Sequence, residues 1–357
     1  MGAQTQLLAS EQSSRRSGAR FRGFYRAYRL LKVELVSAAN LNVNSSQWII
    51  GRRDDLLFFV GSASFGYLLI ALAFAHGGLP GKLAAALGFM LDGPHVYSTA
   101  TRAVFDPAER KRQGVLWLAL FPLCLVGPVL TYKFGFTIFF LGIAALSHYH
   151  IAKQHMGFVM IYKRKAGERD DFKADRYFTL GSLALPFMFY LSAVFTGSVS
   201  LLPIFLVPAV VLAGWYVHRQ AGKPRVNLPK VLLLAGVIPL TWLAWSFAAV
   251  DPWSPVRLLG AAVATNIGHS FQYLKLMWFH NHNRYSGRTG VLGLASRKWI
   301  YFIGFAVLLA LPNHFAGYAQ DDYLSAFMLG FLLFHFLLDS RIWRIRGDQD
   351  LAKALKL

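Results

Sequence analysis

Histidine is the residue type through which this sequence could do chemistry. Eight of its eleven histidines, His95, His148, His150, His155, His269, His280, His282 and His335, lie in or beside apolar stretches. Neutral imidazole is the commonest protein ligand for iron, copper and zinc. A nearby carboxylate serves either as a further ligand or as acceptor for the other ring N–H. Asp92 and His95 stand three positions apart and His335 and Asp339 four apart, so each pair shares a helical face. His148 and His155 are two turns apart on one face. His269, Gln272 and His280 fall at i, i+3 and i+11, again one face, with Asn266 a turn earlier. On a regular helix His150 points away from His148 and His282 away from His280, which makes those two the weaker members of a ligand set. Thr99, Arg102 and Asp106 continue the face of His95, and Arg102 and Asp106 have the i, i+4 spacing of an ion pair.

A lone histidine inside a membrane span is ordinarily a satisfied interhelical hydrogen bonder. Several at matched depth are not explained by packing, because polar groups in a span are costly and turn to a bundle interior or cavity. The expected metal set is therefore His95, His148, His150, His155, His269, His280, His282 and His335, with Asp92 and Asp339 as carboxylate companions.

Matched depth is a matter of topology. Windows of about 19 residues place ten apolar spans near 56–75, 83–105, 114–132, 134–162, 176–195, 199–217, 230–250, 256–280, 298–312 and 322–343. The connections then sort by charge. Basic groups fill the N-terminal segment (Arg15 to Arg53), Arg110–Arg112, Lys163–Lys165, Arg219–Lys230, Arg284–Lys298 and Arg341–Arg346. The intervening connections carry only Lys82, Lys133 and a few acids. Lys and Arg accumulate in cytoplasmic loops, so this alternation predicts both termini in the cytoplasm, as in a bacterial inner-membrane protein. The second, fourth, eighth and tenth spans then run inward in the same direction. Their histidines lie about 6–15 residues from the basic ends, or roughly 9–22 Å of helix. His76, His218 and His314 fall at span ends and are set aside.

The predicted architecture is an all-α, polytopic integral-membrane bundle. Residues 1–18 are expected to be a disordered polar tail, 19–50 a basic amphipathic segment lying on the anionic inner leaflet, 51–345 the transmembrane domain, and 346–357 a C-terminal tail able to form a short surface helix. Apolar residues make up 55% of the chain and charged residues 15%, which excludes an ordinary soluble domain. The net charge of +20 sits at span ends, the pattern of an orientation signal and not of nucleic-acid binding. Cys124, the single cysteine, excludes intrachain disulfides and cysteine-held clusters and reads as a helix-packing residue. Lys153 and Lys275 read as snorkelling side chains.

Eight histidines on one side of a bundle resemble the plan of the integral-membrane fatty-acid desaturase and hydroxylase superfamily. That family's boxes read H-x(3–4)-H and H-x(2–3)-H-H, whereas this chain offers HYHIAKQH at 148–155 and HNH at 280–282, with no adjacent pair. A looser likeness extends to the Brp/Blh carotenoid-cleaving membrane oxygenases. The resemblance implies non-haem iron, as one ion or a di-iron pair, and oxidation of a lipid or isoprenoid by dioxygen. An apolar substrate would enter sideways from the membrane lipids. A monooxygenase or desaturase would draw electrons from a separate reductase, because no dinucleotide fingerprint is present. The alternatives are a haem or copper electron-transfer protein, a zinc site, and a metal or proton transporter.

Overall fold

Apolar runs of twenty residues or more become helices here because each can bury a stripe against its neighbours and leave the rest to an apolar surround. The computed structural model describes residues 47–78, 83, 86–223, 225–318, 322–345 and 347–357, without the side chains of 88, 89, 113, 116, 117, 120 and 313–318. The polar tail 1–18 and nearly all of the amphipathic segment 19–50 lie outside these residues. The described residues contain no strand. The helices are α1 (Arg52–His76), α2 (Gly93–Ser98), α3 (Ala100–Ala103), α4 (Pro107–Leu120), α5 (Val126–Phe134), α6 (Phe136–Lys165) and α7 (Phe172–Thr196). They continue as α8 (Leu202–Ala221), α9 (Leu228–Ala249), α10 (Pro255–Tyr285), α11 (Val291–Arg297), α12 (Trp299–Tyr318), α13 (Asp322–Ile342) and α14 (Gln349–Ala354).

Five of these, α1, α7, α8, α9 and α13, are long and apolar enough to cross a membrane. Helix α8 exposes Ile204, Val207, Val210, Val211 and Val217, as a lipid-facing helix does. Helices α6 and α10 are longer still but carry the polar groups of the site. The expected span 83–105 is broken: a π-helical turn at Gly88–Asp92 leads into α2, and the chain breaks again at Thr99 before α3. The expected span 114–132 is two helices joined by a 3-10 turn at Phe121–Leu125.

Local chemistry sets the ends. Asp55 at the start of α1 is buried and accepts from the backbone N–H groups of Ile49 (2.7 Å) and Ile50 (3.0 Å), folding the entry strand of chain back onto the helix. Gly135 (φ 82) and Gly197 (φ 66) adopt backbone conformations that L side chains resist, separating α5 from α6 and ending α7. Asn227 caps α9, its side chain accepting from Lys230 N–H at 3.3 Å.

Helix α10 lies at the centre, against α1, α2, α6, α9, α11, α12 and α14. Small residues allow the closest crossings. A Cβ on Gly66 would sit 2.4 Å from the Ala264 carbonyl oxygen, and one on Gly330 2.7 Å from that of Cys124. Cys124 is buried and free, a packing residue as its sequence position suggested.

The C-terminal helix is not a surface helix. Leu351 and Leu355 are fully buried beside Phe158, Tyr162 and Phe279. Asp348 holds α14 in two ways: it caps the helix (2.8 Å to Leu351 N–H) and accepts from Arg102 at 3.0 Å. The expected Arg102–Asp106 pair does not form, because the helix ends after Ala103 and turns Asp106 toward Arg284 (3.0 Å) and Tyr285 (2.6 Å). Lys275 does not snorkel. It is buried over Phe58, Trp278 and Trp299 and pairs with Asp54 at 3.1 Å.

Candidate metal centre

Helices α2, α6, α10 and α13 bring five histidines together. His95, His150 and His335 each offer one ring nitrogen, and the three nitrogens lie within 4.8 Å of one another. The His95 and His335 Nε2 atoms are 2.9 Å apart, a separation that needs a proton or a cation between them. Two nitrogens bound at right angles to one ion at about 2.1 Å each would stand about 3.0 Å apart, so the pair fits a shared metal. Asp339 Oδ2 lies 3.8 Å from His150 Nε2 and 3.9 Å from His335 Nε2, on the edge of the same group. The His269 ring is 4.6 Å from that of His95 and 5.4 Å from that of His150, and His155 flanks His269 at 6.1 Å.

Hydrogen bonding around the triad is directional. Tyr273 donates its hydroxyl proton to Asp339 Oδ1 (2.5 Å). Its oxygen can then only accept, so Thr99 donates to it (2.8 Å). With the Thr99 proton spent, the 2.8 Å contact between Thr99 and His335 Nδ1 requires the imidazole to donate. His335 is thereby held as the Nδ1–H tautomer, with the Nε2 lone pair turned to the centre. His150 is fixed differently, its ring stacked on Phe336 at 4.4 Å.

Four ring nitrogens of the group are buried without a hydrogen-bond partner: His95 Nδ1, His150 Nε2, His155 Nε2 and His269 Nδ1. An unpaired polar atom in an apolar interior is costly, and such a concentration marks ligand positions more readily than architecture.

The remaining sequence-derived candidates lie elsewhere. His148 is satisfied on both sides, Nε2 donating to the Leu183 carbonyl (2.7 Å) and Nδ1 accepting from Trp245 Nε1 (3.2 Å). Its face of α6 meets α7 and α9, whereas His150, set down as the weaker of the two, faces α13 and α10. His280 is eleven residues past His269, about 16 Å along the helix. It bonds Asn281 Oδ1 at 2.9 Å among Tyr285 and Trp343. His282 donates to the Ser296 carbonyl (3.0 Å) and lies against Trp278. Asp92 accepts from Asn266 at 2.7 Å and is not among the groups that converge with the triad. His76 and His218 are exposed, and the side chain of His314 is outside the described residues. Thr99 shares the His95 face as its spacing predicts, and Tyr273 is one of several tyrosines within reach of the site; their specific roles emerge only from the structure. Tyr273 follows His269 by four, a spacing that could have flagged it.

A cavity of about 340 Å³, lined by His148 and by none of the five cluster histidines, lies one helical turn before the cluster. Asp92, Ser147, Asn266 and Leu332 line it, and each precedes a cluster histidine by three residues. One turn back along all four helices is thus the same space, so the four approach the cluster from one side. Further along the same helices, past the cluster, Arg102 pairs with Asp348 and Asn281 donates to Thr101 at 2.8 Å. No protein-family model, curated protein or solved structure matches the chain.

Proposed function

We propose that the protein is a membrane-embedded metal-dependent oxidoreductase, with non-haem iron held by His95, His150 and His335 and with Asp339 completing or steadying the set. The observation that supports it is the convergence of three ring nitrogens from three helices within 4.8 Å, in a group of five histidines four of which keep a buried ring nitrogen without a partner. A histidine and carboxylate set with open positions suits iron(II). Bound there, iron would supply dioxygen activation for oxidising a C–H or C=C bond of a lipid or isoprenoid. The residues of the chain do the rest. His335 is held in one tautomer through Thr99 and Tyr273, and Phe336 fixes the His150 ring. The apolar cavity admits the substrate, and a partner reductase supplies electrons unless all four come from the substrate. A second metal ion would find its ligands in His155 and His269.

Haem fits this arrangement poorly. Axial nitrogens on opposite sides of a haem iron stand about 4 Å apart with the porphyrin between them, against 2.9 Å for His95 and His335. Metal transport is favoured by one observation, the broken helix carrying Asp92 and His95, since discontinuous helices line transport sites. Ten spans with both termini in the cytoplasm of a bacterial-type inner membrane are the topology this reading assumes, on the strength of the alternating basic connections.

The test is metal analysis of protein purified in detergent, beside His95→Ala and His335→Ala. Stoichiometric iron in the wild type, lost in both variants, is the expected result; copper or zinc in its place would redirect the chemistry. Wild type without metal after loading removes the reading. Metal-dependent uptake into liposomes would favour the transporter instead.

A further inference from the structure

The cavity beside the cluster is apolar along most of its wall, with Leu91, Phe140, Ile143, Trp245, Leu259 and Leu332 contributing. Ser147, His148, Thr265 and Ser270 also line it, but its one carboxylate and one carboxamide form a pair. Asp92 Oδ1 accepts from Asn266 Nδ2 at 2.7 Å, and neither Asp92 Oδ2 nor the Asn266 side-chain oxygen has another hydrogen bond among the described residues. Both residues line the cavity. Two acceptor oxygens on hydrogen-bonded neighbours, one of them a carboxylate's, suit a hydrogen-bond donor and repel an anion.

We infer that this cavity is a binding site for an apolar molecule of roughly a dozen non-hydrogen atoms, at about 30 Å³ each, carrying a hydroxyl or amine head that donates to Asp92 and Asn266. This names the substrate class of the proposed metal centre and depends on that reading only for the chemistry, not for the binding. Placement adds orientation. Asp92 and Asn266 each stand three residues before a cluster histidine, about 4.5 Å of helix rise. Phe140 and Leu259 stand ten before theirs, about 15 Å back. The head is therefore held at the cluster end and the tail runs away from it. The carbons next to the hydroxyl or amine, not the chain terminus, face the metal.

Trp245 in the wall gives a direct readout. Heavy-atom quenching of tryptophan fluorescence is measured in nanodiscs with ω-bromoundecanol, ω-bromoundecylamine, bromoundecane and ω-bromoundecanoic acid. The alcohol and the amine are expected to quench saturably, the alkane only as it partitions into lipid, and the acid least. Trp245→Phe should abolish the saturable component. Asp92→Ala should weaken the alcohol about tenfold, as loss of a charged hydrogen-bond acceptor does, and Asp92→Asn should weaken the amine more than the alcohol. Metal content should be unchanged in both Asp92 variants, which separates this site from the metal centre. Equal saturable quenching by alcohol and alkane, or an unaltered alcohol affinity in both Asp92 variants, overturns the inference. So does quenching that survives Trp245→Phe.

Discussion

Two buried polar clusters in this bundle follow opposite rules. At the foot of α7, Asp175 is fully buried and surrounded. Its Oδ2 accepts from Lys163, and its Oδ1 accepts from Tyr216 (2.6 Å) and Lys230 (3.1 Å). Glu168 accepts from Lys230 (3.0 Å) and Lys223 (3.3 Å) beside it. Every charge there has an opposite charge in contact. The histidine cluster instead keeps four ring nitrogens without partners. A saturated cluster holds helices together; an unsaturated one reserves its atoms for something else. Burial alone does not separate them. The separation comes from counting partners atom by atom.

Breaking the saturated cluster should cost the most. Asp175→Ala leaves Lys163 and Lys230 with Glu168 as their one shared carboxylate, and removing one partner of a buried pair costs about 3–5 kcal/mol. A large fall in the unfolding temperature, or failure to recover folded protein, is expected, with Asp175→Asn milder. In the unsaturated cluster a change that keeps the packing should do the reverse. His150→Phe should abolish metal binding while leaving the metal-free unfolding temperature nearly unchanged, because the ring on Phe336 is kept and the Nε2 has no bond to lose. An apo protein strongly destabilised by His150→Phe would erase the contrast between the two clusters.

Much of this was legible in the residues. Apolar periodicity and loop charge pointed to an all-helical bundle, and i, i+4 spacing paired His335 with Asp339. Helical phase also separated His148 from His150 correctly. It could not say which of the two faces looks inward, since phase is relative and the inward face depends on the neighbours. His148 and His155 share a face, yet a long helix crossing its neighbours meets different ones at different depths. His148 meets Trp245 and Phe187, whereas two turns on His155 meets His269. His280 was grouped with His269 by phase although eleven residues of rise part them. The roles of Thr99 and Tyr273 came from a helix break and a proton count, neither of which a one-dimensional pattern carries.

That proton count gives the next test. Thr99→Val removes the acceptor for His335 Nδ1–H and frees the tautomer. Loss of such an outer partner lowers metal affinity about 10–100-fold. Competition with a chelator would read it, and Tyr273→Phe should fall in the same range. An unchanged affinity in both would mean that the triad is not held through this chain of hydroxyls. His148→Phe is the matched control on the same helix. It strands the Leu183 carbonyl and the Trp245 N–H, for about 1–3 kcal/mol of stability, and should leave metal stoichiometry as in the wild type. Metal lost with His148→Phe would return that residue to the ligand set.

The smallest effect concerns acid. Burial pushes the Glu168 carboxyl up, but the hydrogen bond and charge of Lys230, with Asn227 and Lys223 near, more than offset it, so its pKa lies below the ordinary glutamate value. A carboxylate depressed in the folded state contributes stability that is fully present above its unfolded pKa, about 4.3, and is lost as the pH falls through the lower folded value. The unfolding-temperature gap between wild type and Glu168→Gln should therefore hold from neutral pH down to about that point and close below it. Glu168 is partly reached by solvent, so the gap should be modest and should narrow with salt. A gap that is constant through the acid range would mean that the Glu168 carboxylate holds the lysines by shape and not by charge. The saturated cluster would then owe its stability to Asp175 alone.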